Sequence, residues 1–568
     1  MEIGGSLVPS HLLDTAETLT GALRTLVEGF PAHECLILLD RHGREERLTL
    51  SNLWERARRI QSAFAARGLE PGGFALLALP TSAELVSAYF GVMLAGGIPG
   101  LIATPSNRVS DPRLYAARIG AIVTDADAQL LYCTEEVADL FRGADAALLG
   151  RAALITPREA LPPQVTPRLH QAAPDAIATV QYSSGSTGTP KGILLTHRAM
   201  LNNIRAVRDG LRLTASDVSV NWIPLYHDMG LIDAFLLPLL SGCPSVLIPT
   251  MDFLREPALW LRAIHRYRGA LSWAPNFAYT ICAKRVPDHE IAGVDLSSWR
   301  VAINAAEPVL ASTIEAFTKR FQTYGFRPQA MTPAWGLAEN VTIATAHPVE
   351  ERPLVETVDR QTLATQGIAQ PTRTDGLVSV AIGQCLPHCE VQIRDAARCP
   401  LSDRHVGTIW LRTNSLFSGY NQNPQLTGAA LVDGWLDTGD QGYVAGGNLY
   451  FISRDKDLVV IGGEKYAPHD IETVINRIPG VREGCAVVFG VLSDERGTED
   501  IAAVVETKVV DERALAELRN AIRVHVTECT GLALRFVVLV PPGGIEKTTS
   551  GKLARRATQR RYAPQLIE

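Results

Sequence analysis

Helix-like and strand-like segments alternate along most of this chain, and that rhythm constrains its fold more than any other feature. LSNLWERARRIQSAFAARG carries apolar residues at helical spacing and ends at Gly68. FALLALP follows as a short apolar strand, and a second helix is expected from about Ser82 to Ala95. The rhythm continues through HRAMLNNIRAVRDGL, SVLIP, PALWLRAIHRYRG and ASTIEAFTKRFQTYG. Such alternation predicts α/β layers with mixed, largely parallel sheets. Beyond about residue 380 shorter β-like pieces (VSVAIG, CEVQIRD, GTIWLRT, GNLYFISRD) predict a smaller, partly antiparallel, barrel-like layer. After Asp457 comes a compact α+β unit of about 110 residues, enough for a core of its own. The expected division is an N-terminal body of several subdomains, residues 1–455, and a small mobile C-terminal domain, residues 456–568.

Composition bounds what such a fold could do. Over 568 residues, 54 basic and 60 acidic side chains give a net charge of −6, too balanced for a general nucleic-acid binder. Nine scattered cysteines read as reduced thiols, not as a disulfide framework. Cys385, His388, Cys389 and Cys399 cluster in sequence, but no second pair has ligand spacing and zinc is not expected. Two uncharged stretches, Leu85–Asn107 and Ala234–Met251, are broken by Gly and Pro, and each reads as a buried helix turning into a buried strand. With no signal-peptide pattern at the N-terminus, a cytoplasmic protein without membrane insertion is expected. Arg555, Arg556, Arg560 and Arg561 form a basic cluster that reads as a solvated helix face or a contact for a carrier or phosphate.

The most informative segment is Tyr182-Ser-Ser-Gly-Ser-Thr-Gly-Thr-Pro-Lys-Gly192, between strand-like IATVQY and ILLTH. Small hydroxyl residues and glycines let backbone N–H groups and side-chain hydroxyls converge on phosphate oxygens, and Lys191 adds charge. The order is not that of a Walker A loop, which needs GK[ST] and a helix directly after it.

SSGSTGTPKG resembles the signature loop of the adenylate-forming superfamily, which includes acyl-CoA synthetases, adenylation domains of peptide synthetases and luciferases. Further segments resemble that family's motifs in order: Ala334-Trp-Gly-Leu-Ala-Glu339, Trp435-Leu-Asp-Thr-Gly-Asp440, Arg454-Asp-Lys-Asp457 with Ile461-Gly-Gly463, and Glu546-Lys-Thr-Thr-Ser-Gly-Lys552. WIPLYHDMGLI, SWAPNFAYTICAKR, LSSWRVAINAAEPV and KYAPHDIE resemble the narrower branch of fatty acyl-AMP ligases. The segment from about Glu350 to Gly376 lies where that branch carries an insertion thought to restrain the small domain.

The resemblance implies a role for each candidate residue, with ATP and Mg²⁺ as cofactors. Ser183, Ser184, Ser186, Thr187 and Lys191 would hold the β- and γ-phosphates. Glu339 would ligate Mg²⁺, a hard carboxylate for a hard cation. Asp440 and Arg454, fourteen residues apart, would take the ribose hydroxyls. Ala305, Ala306 and Glu307 would wall the adenine, with Trp335 stacking opposite and Gly336 beside it. The family more often carries Tyr at the Trp335 position and Thr at the Ala338 position, so one phosphate contact is absent and slower adenylation is expected. Lys552 would bridge the carboxylate and the α-phosphate, and Lys456 would be the hinge. His227 is either a gate of the acyl or pantetheine channel or a core histidine.

Trp273, Phe277, Tyr279 and Gly230 are candidates to line an apolar acyl tunnel, although an aromatic run is more often simple core. The implied reaction is activation of a hydrophobic carboxylic acid, then acyl transfer to the phosphopantetheine of a separate holo acyl carrier protein. Two alternatives stay open: an acyl- or aryl-CoA ligase using free coenzyme A, and a non-catalytic nucleotide-binding protein of the same fold.

Overall fold

The computed structural model describes residues 8–105, 112–142, 146–159, 167–183, 191–373, 376–461, 464–493, 498–548 and 551–567. Two large mixed sheets carry the first two thirds of the chain. In the nine-stranded sheet, Glu34–Leu39, Ser245–Leu247, Ser219–Asn221, Leu271–Ala274, Val301–Asn304 and Met331–Gly336 run parallel side by side. Antiparallel strands close both edges, Glu45–Thr49 on one side and Ile343–Ala346 with Gln384–Cys385 on the other. The seven-stranded sheet centres on parallel Phe74–Ala78, Ile98–Leu101 and Leu130–Cys133.

The helix-to-strand alternation accounts for these layers. Leu50–Ala66 begins at a capping box in which Thr49 and Asn52 satisfy each other's backbone N–H groups. The next helix, Ala83–Leu94, is capped by Ser82 and is buried all round. Gly91 brings the two helices together, because a Cβ there would lie 2.9 Å from Ile60 and 3.0 Å from the Ala57 carbonyl. Both uncharged stretches fold as expected, into buried helix and then buried strand. Among the described residues, no helix is long and apolar enough to cross a membrane.

The antiparallel layer comprises Cys389–Arg394, Gly407–Thr413, Leu431–Val432, Trp435–Ala445 and Asn448–Arg454. Val481–Ser493, Thr498–Thr507 and Leu534–Val540 then form a three-stranded sheet. The helices Pro468–Ile475 and Glu512–Thr530 bury Ile471, Ile475, Ile522 and Val526 in the core of that sheet. Arg555–Tyr562 adds Tyr562 to a second cluster with Val487 and Phe489.

Candidate active site

The loop between Leu534–Val540 and Arg555–Tyr562 carries Lys552. The Thr548 N–H donates to the Lys552 carbonyl at 2.7 Å, and the Lys552 N–H donates to Thr548 Oγ1 at 3.1 Å. The ammonium of Lys552 then reaches His227 Nε2 at 3.0 Å. On the far side of that ring, Nδ1 stands 2.5 Å from Asp228 Oδ1. The His227 ring thus lies between the ammonium and the carboxylate, with the Met229 N–H 3.3 Å from the same Nδ1. Asp228 also caps the buried π-helix Met229–Leu236, accepting from the Met229 N–H at 2.7 Å.

The charges around Lys552 oppose one another. Burial lowers its pKa from 10.5, Asp228 and Glu307 work upward, Arg454 works downward, and the net shift is down. For Asp228, burial works upward but His227 and Lys552 outweigh it, and the carboxyl is held below its usual range. Asp233, one turn further on, is pushed well above that range by burial and by Asp228. Thr342 Oγ1 lies 3.0 Å from Asp233 Oδ1 and 2.7 Å from Asn203 Oδ1. The two carboxyl groups are thus shifted in opposite directions, Asp228, the lowered one, by His227 and Lys552.

Asp440 and Arg454 are directly opposed across the hairpin of Trp435–Ala445 and Asn448–Arg454, which explains their spacing. Arg454 Nε stands 3.6 Å from Asp440 Oδ1, and Trp335 Nε1 donates to Asp440 Oδ2 at 2.9 Å. Burial raises the Asp440 carboxyl, and Arg454 and the indole N–H counter part of that effect. Gly336 follows Trp335 at a bulge, and a Cβ on it would meet the Thr342 carbonyl at 2.2 Å, so glycine is required by packing.

Glu339 lies in the turn after this strand, and the Tyr420 hydroxyl donates to its Oε1 at 2.8 Å. The Lys191 ammonium sits 5.5 Å from the centre of the Tyr420 ring. Ile177–Ser183 and Lys191–Thr196 pair antiparallel with Ser183 opposite Lys191, so Lys191 stands at the base of the hydroxyl-rich loop. Ser184, Ser186 and Thr187, and the side chain of Ser183, lie outside the described residues. One tyrosine-oriented carboxylate beside the start of that loop fits Mg²⁺, which takes one or two carboxylates and completes its shell with phosphates and water.

The segment after Val301–Asn304 places Ala305 in the core and Ala306 at the surface with φ +69°. Glu307 Oε1 accepts the Phe277 N–H at 2.5 Å. Burial raises the Glu307 carboxyl, and the Phe277 N–H, Lys552 and Lys547 hold it back. Phe277, half-buried, lies edge-on to Trp222 and against Gly551, next to the Lys552 loop.

Three of the acyl-site candidates lie in the packed interior. Tyr279 is fully buried, donates to the Ile303 carbonyl at 2.7 Å, and packs with Trp260, Trp299 and Phe317. Trp273 is likewise fully buried in its sheet strand. Gly230 leaves no space in front of its α-carbon, because a Cβ would lie 2.1 Å from the Pro224 carbonyl oxygen.

Lys456 lies in the turn Asp455–Asp457, and its carbonyl accepts from Arg556. The basic cluster divides: Arg555 is half-buried against Glu472 and Arg556 pairs with Asp457, while Arg560 and Arg561 stay exposed, Arg561 beside Glu546. Asp228, Asp233 and Tyr420 were not singled out in the sequence. Asp228 was detectable, as the carboxylate beside His227 in YHDMG.

Fold and site together define an adenylate-forming ligase, an enzyme that uses ATP to activate a carboxylic acid. The family model described as AMP-binding enzyme matches residues 23–421, and the chain belongs to that family. It is 32% identical over 553 residues to the long-chain-fatty-acid–AMP ligase FadD26 of Mycobacterium marinum, covering 92% of this chain and 93% of that protein. It is 35% identical over 417 residues to the medium-chain-fatty-acid–[acyl-carrier-protein] ligase TtuA of Teredinibacter turnerae, covering 70% and 64%. A solved structure from work on the fatty acyl-adenylate ligases of E. coli and L. pneumophila superposes with a TM-score of 0.91 at 30% identity, covering 99% of both chains.

Proposed function

We propose that this enzyme converts a hydrophobic, fatty-type acid and ATP into acyl-AMP and pyrophosphate, and then passes the acyl group to the phosphopantetheine thiol of a separate acyl carrier protein. The observation that carries the reading is the position of Lys552, which comes from the end of the chain to meet His227 within the fields of Asp228, Glu307 and Arg454. A carboxylate oxygen attacks the α-phosphorus, the bond to the β-phosphate oxygen breaks, and pyrophosphate leaves. Lys552 would hold the carboxylate and the α-phosphate together and offset the charge that builds up between them. The ribose would rest on Asp440 and Arg454, and the adenine between Trp335 and residues 305–307. Glu339 would hold Mg²⁺, which when bound supplies charge neutralisation at the phosphates.

In the second step the thiol sulfur attacks the acyl carbonyl, its proton passes to solvent, and AMP leaves. That step needs residues 456–568 to swing as a unit about Lys456 and remove Lys552 from the site. The carrier-protein acceptor is supported by relatives named as acyl-carrier-protein ligases, and the fatty acid by those named as fatty-acid–AMP ligases. The reading places the chemistry in the cytoplasm, where ATP is supplied.

The test is mass spectrometry of reactions containing ATP, Mg²⁺ and a panel of acids, each run with coenzyme A or with a holo carrier protein. The expected products are an acyl-adenylate from medium- or long-chain acids and an acylated carrier. Consumption of the adenylate by free coenzyme A would make the protein an acyl-CoA ligase instead.

A further inference from the structure

The Trp335–Asp440 pair joins two layers of the fold. Trp335 comes from Met331–Gly336 at the end of the nine-stranded sheet, Asp440 from Trp435–Ala445 of the antiparallel layer, and both are more than nine-tenths buried. An indole N–H is a donor only, and it neither accepts nor titrates. Aimed at Oδ2 from 2.9 Å, it fixes the rotation of the carboxylate about its Cβ–Cγ bond. Arg454 does not do this: its Nε is 3.6 Å from Oδ1, too far for a hydrogen bond, and its side chain is 59% exposed and free to reorient. The backbone does not do it either. The Asp440 N–H donates to Thr438 Oγ1 at 3.2 Å, which holds the main chain and leaves the side-chain torsion open.

We propose that Trp335 is a positioning residue for nucleotide recognition. Its N–H locks Oδ2 of Asp440 against the sheet so that Oδ1 is presented to the ribose hydroxyls. The inference rests on the reading of Asp440 as the ribose site and deepens it. It assigns the indole a second task besides stacking, one that a phenyl ring at this position cannot perform. Without the indole donor, the carboxylate samples several rotations, and each ribose hydroxyl bond must first order it. The consequence is specific. Losing the N–H erodes discrimination between ATP and its deoxyribose analogues more than it erodes binding of the analogues themselves.

The experiment measures binding of Mg·ATP, Mg·2′-deoxy-ATP and Mg·3′-deoxy-ATP to the full chain by calorimetry, which needs no knowledge of the acid. Wild type, Trp335→Phe and Asp440→Asn are compared. A variant in which a benzothiophene replaces the Trp335 indole keeps the shape without the N–H and serves if the phenylalanine variant does not fold. The wild type is expected to bind at least one deoxy analogue about tenfold more weakly than ATP, the scale of one hydrogen bond to a charged group. Asp440→Asn and both Trp335 replacements are each expected to bring that ratio close to one, and any stacking lost with the Trp335 indole weakens ATP and its analogues alike and leaves the ratio untouched. If Asp440→Asn collapses the ratio and the Trp335 replacements leave it at the wild-type value, the proposal is wrong and the ribose reading stands. If Asp440→Asn leaves the ratio unchanged, the ribose reading fails and the proposal falls with it.

Discussion

Lys552 and His227 are 325 residues apart in the chain, and their side chains stand 3.0 Å apart. An ammonium taken out of water is costly unless it meets acceptors and opposite charge, and Asp228 and Glu307 supply the charge. Lys552→Ala is expected to lower the adenylation rate by about 10²–10³, the scale of losing one preorganised charge contact in a transition state. ATP affinity should be unchanged, because Asp440, Arg454 and the phosphate loop are untouched. Pyrophosphate exchange near the wild-type rate would remove Lys552 from the chemistry.

The same contacts set a pH limit. The useful form of Lys552 is the ammonium, and its folded pKa lies below 10.5, so the adenylation rate should fall as pH rises through that lowered value. Asp228 favours the charged form, and Asp228→Asn removes that support. The pKa then falls further and the alkaline limb moves to lower pH. Initial rates of pyrophosphate release between pH 7 and pH 11 read this directly, and a limb that stays in place would show that Asp228 does not act on Lys552.

What was legible from residue order was whatever depends on neighbours in sequence. Helix periodicity and glycine stops marked the layers, and the Asp440-to-Arg454 spacing is the length of one hairpin. What was hidden depends on side chains from distant elements. An arginine such as Arg555 looks solvated until Glu472 folds against it and leaves its side chain 18% exposed. On the helix Asn276–Arg285, Tyr279 faces inward and Phe277 outward, and the register of that helix against Trp260 and Trp299 is not written in the run NFAYTICAKR itself. Nor does YHDMG show that the missing side chain of Gly230 makes way for the Pro224 carbonyl.

That last point has a thermodynamic consequence. Gly230→Ala forces a Cβ to 2.1 Å from the Pro224 oxygen, and backbone cannot step aside as a flexible side chain can. A loss of about 1–3 kcal/mol or more is expected, read as a lower thermal midpoint. Gly428, inside the helix Pro424–Ala430, has nothing within 4 Å of a modest Cβ. Gly428→Ala should instead gain about 0.5–1 kcal/mol. Equal midpoints for the two variants would contradict the packing at Gly230.

Lys456, the proposed pivot, sits in the one-turn segment Asp455–Asp457. Proline is tolerated in a first helical turn, but it fixes φ near −65°. Lys456→Pro is therefore expected to keep the adenylation half-reaction within about twofold and to suppress acyl transfer to the thiol. Single-turnover assays separate the two steps, and equal loss of both would argue against a pivot at this residue.

Two ion pairs join the segments on either side of the proposed pivot at Lys456: Arg360 with Asp470 at 2.8 Å, and Lys284 with Glu483. A cavity of about 250 Å³ lined by Leu363, Leu377, Leu458 and Tyr466 lies beside the first pair, where Ala467 packs against the apolar cluster of Val358, Ala369 and Leu377. Partly exposed pairs contribute up to about 1 kcal/mol each, so Arg360→Ala and Lys284→Ala should each raise the undocked fraction by up to about fivefold. Distant sites add, and the double variant should approach the product of the two. Trypsin cleaves after Arg454 and Lys456, and where undocking and redocking are fast its rate follows the exposed population of that segment. Faster cleavage in each single variant and a multiplicative increase in the double variant are expected. Wild-type cleavage rates in all three would mean that these ion pairs do not hold the domain down.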